Sequence, residues 1–257
     1  MHALVNIALR AARDAASAIA HSSDRLDRIT VLNDAADSYL TSMDVDANKT
    51  LVYHLNKAYP EHSINSRVSG EQVGTDSSTI WLLNPLAGNR NFAAGYGQFA
   101  VSIACQVNGK TEHAVIINPI TGEEFIASRG NGAQLNSRRI RVSNQTELQN
   151  AFIALDSDEL PTETLAKLQK ALTEQDVRLR ISGCATLDML AVATGRLQGG
   201  FAGSFNLIED AGATLILQEA GAFIGDQSGS PDYKSATQLV FGNQKIFKEL
   251  IKLYNRS

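Results

Sequence analysis

The sequence predicts a layered α/β fold, of the α+β kind in which helices and sheets form separate layers. Three observations predict it. An alanine-rich segment with helical spacing opens the chain, a run of strands joined by tight turns follows, and the second half alternates strand with helix. At 257 residues, 44% hydrophobic and 19% charged, the chain can bury a large core.

Residues 3–20, "ALVNIALRAARDAASAIA", place Leu4, Ile7, Ala8, Ala11, Ala15 and Ile19 on one stripe, with Arg10, Arg13 and Asp14 off it. The small side chains predict a helix packed closely on its neighbour. A second helix is expected from near Asp44 to just before Pro60, burying Leu51, Val52, Leu55 and Ala58. The period then changes. "IWLL", "FAVSIACQV", "TEHAVIIN" and "EEFIASR" read as strands, with the Asn-Gly pair of "VNGK" (107–110) signalling a type I′ hairpin and "NPITGEE" (118–124) a second tight turn. Together they predict an antiparallel meander.

The second half reads as strand "AFIALD" (151–156), a helix near 162–174, strand "VRLRIS" (177–182) and helix "ATLDMLAVATG" (185–195). An apolar segment at 199–205, a helix over 208–220 ending at Gly221, strand "QLVFGN" and a last helix from about 244 complete it. No linker or repeat interrupts the chain. The change of rhythm alone divides it into residues 1–145 and 146–257, expected to pack as one compact unit.

The net charge of -4 gives no sign of a nucleic-acid surface, and the basic stretches "NSRRIRVS" (137–143) and "KIFKELIKLYNRS" (245–257) read as solvated faces. No apolar run approaches the ~18 residues of a membrane span, so a soluble chain is expected. Cys105 and Cys184 sit among apolar or small residues, far apart, and read as buried thiols in a reducing cytosol. His54, His62 and His113 have no sequence neighbours that would make a metal site or a triad, so packing roles are expected.

The segments "MHALVNIALRAARDA", "FAVSIA", "RGNGAQLN" and "LQEAGA" resemble the inositol monophosphatase family over nearly the whole chain, and most of all its bacterial SuhB branch. The resemblance implies an αβαβα sandwich and Mg²⁺-dependent hydrolysis of a sugar or cyclitol phosphate monoester. Such chemistry gathers two or three hard divalent ions, which need clustered carboxylates. The family's Glu-Glu pair falls here on Arg67 and Val68, with Glu71 a few residues on. Its Asp-Pro-Ile/Leu-Asp-Gly-Thr-Thr motif falls on "WLLNPLAGNRNF" (81–92), where Asn84 and Ala87 replace both aspartates and Asn89 and Arg90 replace both threonines. The Trp-Asp element becomes Ile208-Glu209, and a substrate-contacting Glu falls at Ala202. Asp44 matches an outer acidic position, and the Leu86 carbonyl remains as a neutral donor.

Every charge change in these loops moves the site toward positive. An arginine cannot act as a metal ligand or a water-activating base. The catalytic positions Arg67, Asn84, Ala87, Asn89 and Glu209 are therefore not intact, and no Mg²⁺ is expected; Asp44, Leu86 and Glu209 are the residual candidate ligands. Two placements are open for Arg67 and Arg90: in the former metal volume, paired with Asp44 or Glu209, or out in solvent. Arg67, Arg90 and the Gly88 turn are also candidates for binding a phosphate or sulfate. Asp188, on an apolar helix, is expected to be capped or salt-bridged.

The branch resemblance implies a non-catalytic cytoplasmic protein, commonly a homodimer, that joins Nus factors and RNA polymerase in transcription antitermination. Two alternatives stand beside it. One is a phosphatase rebuilt on Asp44, Glu71, Glu209 and Asp210, and the other is a phosphate-ester sensor.

Overall fold

The computed structural model describes residues 2–35 and 38–256. Helix α1 (Ala3–Ser23) is capped by His2 and buries Val5, Leu9, Ile19 and a row of alanines from Ala8 to Ala16. Of the expected stripe, Leu4 and Ile7 lie at the half-buried margin. A strand pair, β1 (Val31–Asn33) and β2 (Leu40–Thr41), precedes α2 (Ser42–Ala58). Thr41 and Asp44 form a reciprocal capping box, which starts α2 two residues before the expected Asp44. Leu51 and Leu55 are buried as expected, but Val52 is half-buried and Ala58 is exposed at the helix end.

The first half then builds an eight-stranded sheet. Its strands are β3 (His62–Ser66), β4 (Gly70–Gln72), β5 (Asp76–Ala87), β6 (Ala100–Val107), β7 (Lys110–Asn118), β8 (Glu123–Ser128), β9 (Ala133–Leu135) and β10 (Arg138–Arg139), with the short helix α3 (Asn89–Ala93) after β5. The order is β10-β9-β8-β7-β6-β5-β3-β4. The antiparallel meander holds from β5 to β10, but β3 pairs with β5 in parallel, a correction to the expected pattern. The residues of β3, "HSINS", look like loop because they are polar. They are nevertheless buried, since Trp81 Nε1 donates to His62 Nδ1 (3.1 Å) and Ser66 Oγ donates to Asn48 Oδ1 (2.6 Å). Asn108 and Gly109 both take positive φ (51° and 73°), the type I′ turn that their sequence signalled.

The second half contributes β11 (Phe152–Leu155), α4 (Thr162–Thr173), β12 (Arg178–Arg180), α5 (Ala185–Ala193), β13 (Gly199–Ala202), α6 (Leu207–Glu219), β14 (Phe223–Asp226), β15 (Leu239–Gly242) and α7 (Gln244–Tyr254). Its five strands form a mixed sheet in the order β12-β11-β13-β15-β14, parallel across β12, β11 and β13 and antiparallel beyond.

Apolar clusters fill the four interfaces between five layers. α1 and α2 cover one face of the large sheet, where Val101, Ile103, Val115 and Ile117 meet them. α5 and α6 lie between the two sheets, touching Ala114, Ile116 and Phe125 on one side and Ala202, Leu239 and Phe241 on the other. α4 and α7 close the outer face of the small sheet. This is the αβαβα sandwich. It explains why β6 and β7 read as continuous apolar runs and why α6 is apolar on all sides: each is covered on both faces. No described helix is long and apolar enough to cross a membrane.

Candidate functional site

The ends of several elements converge on a cavity of about 260 Å³. β5 supplies its buried end, Asn84 to Ala87, and the chain then turns through Gly88 (φ 74°) into α3. A side chain at Gly88 would place Cβ 2.6 Å from the Gln98 carbonyl oxygen and 3.2 Å from the Cys184 Sγ, so both the backbone angle and the space require glycine there. Arg67 follows β3, tied to β5 by its N–H donating to Leu83 O (3.0 Å). From the second half come the end of β11 at Asp156, the end of β13 at Ala202 and Gly203, and the first turns of α5 and α6.

The two sides of the cavity carry opposite charge. On the first-half side, Arg67 Nη2 forms an ion pair with Asp44 Oδ1, its Nε donates to Asn84 Oδ1 (3.1 Å), and its Nη1 donates to the Tyr39 carbonyl (3.4 Å). Asp44 is fully buried, and its oxygens also accept from Asn89 Nδ2 (3.0 Å), Thr41 N (2.8 Å) and Thr41 Oγ1 (2.6 Å). A carboxylate offers about four lone-pair directions, and four donors converge on this one. Arg90 stacks over the Tyr39 ring at 4.3 Å and donates to Ala35 O (2.9 Å). Of the two placements open for the arginines, Arg67 takes the interior one, while Arg90 is an exposed side chain turned onto Tyr39.

The facing wall is acidic: Asp156, Asp158, Glu159, Glu209 and Asp210. Burial is the largest cause raising Asp156, Glu159 and Glu209 above the ordinary carboxylate range, with nearby Arg67 pulling Glu209 partly back. Burial, with Glu209, Asp156 and Glu159 close by, pushes Asp210 up to about 7. Asp210 Oδ2 accepts from Asn206 N (2.8 Å), and the Asn206 side chain caps α6 by accepting from Ile208 N (3.0 Å) and Glu209 N (3.4 Å). Asp210 thus holds its proton near neutrality far more readily than a free carboxylate does.

Arg67, Asn84, Ala87, Gly88, Asn89, Arg90, Ala202, Glu209 and Asp210 are thus brought together as cavity lining. Leu86 is a core residue, and Glu71 stands exposed on the edge strand β4, so it is not available to a rebuilt site. Asp188 makes no ion pair among the described residues, which corrects the salt-bridged expectation; burial pushes it up to about 7. Cys184 borders the cavity, but burial raises its thiol to about 12, as it does that of Cys105. His54 meets Asp14 at 2.8 Å and His113 meets Ser128 Oγ at 2.8 Å, both far from the cavity lining.

Asp156, Asp158, Glu159 and Tyr39 were missed by sequence reasoning. A signal existed for the first three: the acidic run "DSDE" (156–159) directly follows a buried strand, and strand ends gather at one edge of a sheet.

A sequence model described as the inositol monophosphatase family matches residues 1–256. The protein named Nus factor SuhB of Pseudomonas aeruginosa is 39% identical over 258 residues, covering 98% of this chain and 95% of that protein. The crystal structure of the extragenic suppressor protein SuhB from Bartonella henselae superposes with a TM-score of 0.95 at 31% identity, with all of both chains covered. That of inositol monophosphatase from Anabaena gives 0.82 at 25% identity, covering 98% of this chain and 95% of the other.

Proposed function

The chain belongs to the inositol monophosphatase family, and from that premise we propose that it is a non-catalytic member acting through protein contacts in transcription antitermination. The proposed setting is the cytoplasm and the proposed form a homodimer. The proposed partners are Nus factors and RNA polymerase. The name shared by its relatives, Nus factor SuhB, supports the transcription role.

One observation carries the loss of chemistry: the Arg67 guanidinium lies between Asp44 and Asn84, on the oxygens a divalent ion would need. The donor set does not fit Mg²⁺. Asp44 is saturated by donors, Asn84 is neutral and engaged, and Ala87 offers no oxygen from its side chain. A unit positive charge ~4 Å from a divalent ion costs on the order of 8 kcal/mol at an effective dielectric of ~20. Repacking does not absorb a repulsion of that size. The acids that remain are on the opposite wall, where burial raises Asp156, Glu159, Glu209 and Asp210 above the ordinary carboxylate range.

The tests are direct. Phosphate release from inositol monophosphate or a generic phosphomonoester in millimolar Mg²⁺ is expected to stay at background. Tagged protein drawn from cell extract is expected to bring Nus factors and RNA polymerase with it. Metal-dependent turnover abolished by Glu209→Ala restores the hydrolase, and recovery without transcription components removes the antitermination reading.

A further inference from the structure

We propose that Arg67, Asn89 and Arg90 form a side-chain clamp that holds the β1–β2 segment against the ends of β3 and β5, with the Arg67 guanidinium acting as a tethered cation in place of a metal ion. The inference rests on the reading that the site has lost its metal. It goes further, because it assigns the replacement residues a positive task.

The geometry converges on one stretch of backbone. The Tyr39 carbonyl accepts from both Asn89 Nδ2 (2.7 Å) and Arg67 Nη1 (3.4 Å). The Tyr39 ring lies under the Arg90 guanidinium, which also holds Ala35 O and lies 3.7 Å from Asp34 Oδ1. Arg67 and Asn89 then share Asp44 Oδ1, and Asp44 Oδ2 holds the N–H and hydroxyl of Thr41 at the end of β2. The segment is thus fixed at Ala35, Tyr39 and Thr41 by groups from α2, from α3 and from Arg67 just after β3.

Outside the clamp, the described residues hold it by the β1–β2 ladder and by two bonds between Thr30 and Ser42, Ser42 N to Thr30 O (2.8 Å) and Thr30 N to Ser42 Oγ (3.1 Å). β1 is exposed along its whole length, with Val31 at 45% and Leu32 at 53% exposure, and among the described residues it pairs only with the two-residue β2. A two-stranded sheet of this length is not stable by itself. Apolar burial does not order it; the charge-assisted bonds to a buried carboxylate do. The positive charge that neutralises Asp44 is carried on the chain, so the order of this face is independent of divalent ions.

Two readouts on the isolated full chain test this: the melting temperature in millimolar Mg²⁺ against EDTA, and hydrogen exchange at the Thr41 and Ser42 amides. Wild type is expected to show the same melting temperature and protection in both buffers. In Arg67→Ala, exchange at these amides is expected to speed up roughly tenfold or more, the loss of one charge-assisted hydrogen bond. Added methylguanidinium is expected to slow it again by refilling the gap. Arg67→Lys, which keeps the charge but not the fork, is expected to fall between and guards against a variant that does not fold.

Unchanged exchange in Arg67→Ala with a metal-insensitive wild type overturns the clamp alone. A wild-type melting temperature raised by Mg²⁺ overturns the tethered cation. Neither result depends on partner capture, and metal-dependent phosphate release bears on the proposed function instead.

Discussion

Asp188 gives the sharpest stability test. It lies in the first turn of α5, 5% exposed, within the layer between the two sheets. Burial raises its pKa from 3.8 to about 7, with Asp156 adding to the rise and the Ser182 hydroxyl opposing it. The sign follows from linkage. The folded state binds this proton more tightly than the unfolded chain, so stability falls as pH rises from about 4 through about 7 and levels off above. A rise of about three units is worth on the order of 4 kcal/mol when fully expressed, and between pH 5 and pH 8 the cost grows by roughly 2–3 kcal/mol. Asp188→Asn keeps the shape and a hydrogen-bonding group while removing the charge. At about 2–4 °C per kcal/mol for a chain near this size, its melting temperature relative to wild type is expected to rise by roughly 5–10 °C between pH 5 and pH 8. Thermal melts of both proteins across that range measure it. A difference between variant and wild type that is flat with pH refutes the reasoning, because a purely steric effect carries no proton.

Gly88→Ala forces a left-handed φ on a residue with a side chain and drives Cβ toward the Gln98 carbonyl, so a loss of about 2–5 kcal/mol is expected. A denaturant midpoint equal to that of wild type contradicts this. Burial raises the Cys105 and Cys184 thiols to about 12, so neither is expected to react with an aromatic disulfide reagent at pH 8 until denaturant is added. Stoichiometric labelling of the native protein shows that one of them is open to solvent.

The layers were legible because their apolar patterns are strong. β5 to β8, α1, and the order of strands and helices from β11 to α7 apart from β14 follow from period and turn residues that agree with the tertiary structure. β3 was hidden because its burial is polar: His62, Ser63 and Ser66 are held by side-chain bonds to Trp81, Gly74 N and Asn48, which no apolar period records. β14 was hidden because Phe223 points outward at 45% exposure from a four-residue strand. At the cavity, the first-half residues could be named because a motif places them at fixed spacing. Of the acidic wall, Glu209 and Asp210 were named too, but Asp156, Asp158 and Glu159 were not. Asp156 and Glu209 are 53 positions apart and meet only because β11 and α6 end at the same edge.

That wall completes the electrostatic account of the site. A pocket with several carboxylates is usually read as a place for cations, yet here the two halves are neutralised differently. Asp44 has Arg67 beside it, while burial pushes Asp210 up to about 7 and raises Asp156, Glu159 and Glu209. A divalent ion entering from solvent would have to displace the Asp210 proton and also meet a guanidinium that cannot give up its own. Lowering the pH makes the first step harder, and raising it leaves the second untouched. Removing Arg67 alone leaves Asn84 and Ala87 without a carboxylate, and restoring one acid alone leaves Arg67 in place. If the metal site is lost as proposed, no single substitution in these loops is expected to restore Mg²⁺ binding, which calorimetric titration of Mg²⁺ into Arg67→Glu measures; binding by that variant would overturn the account.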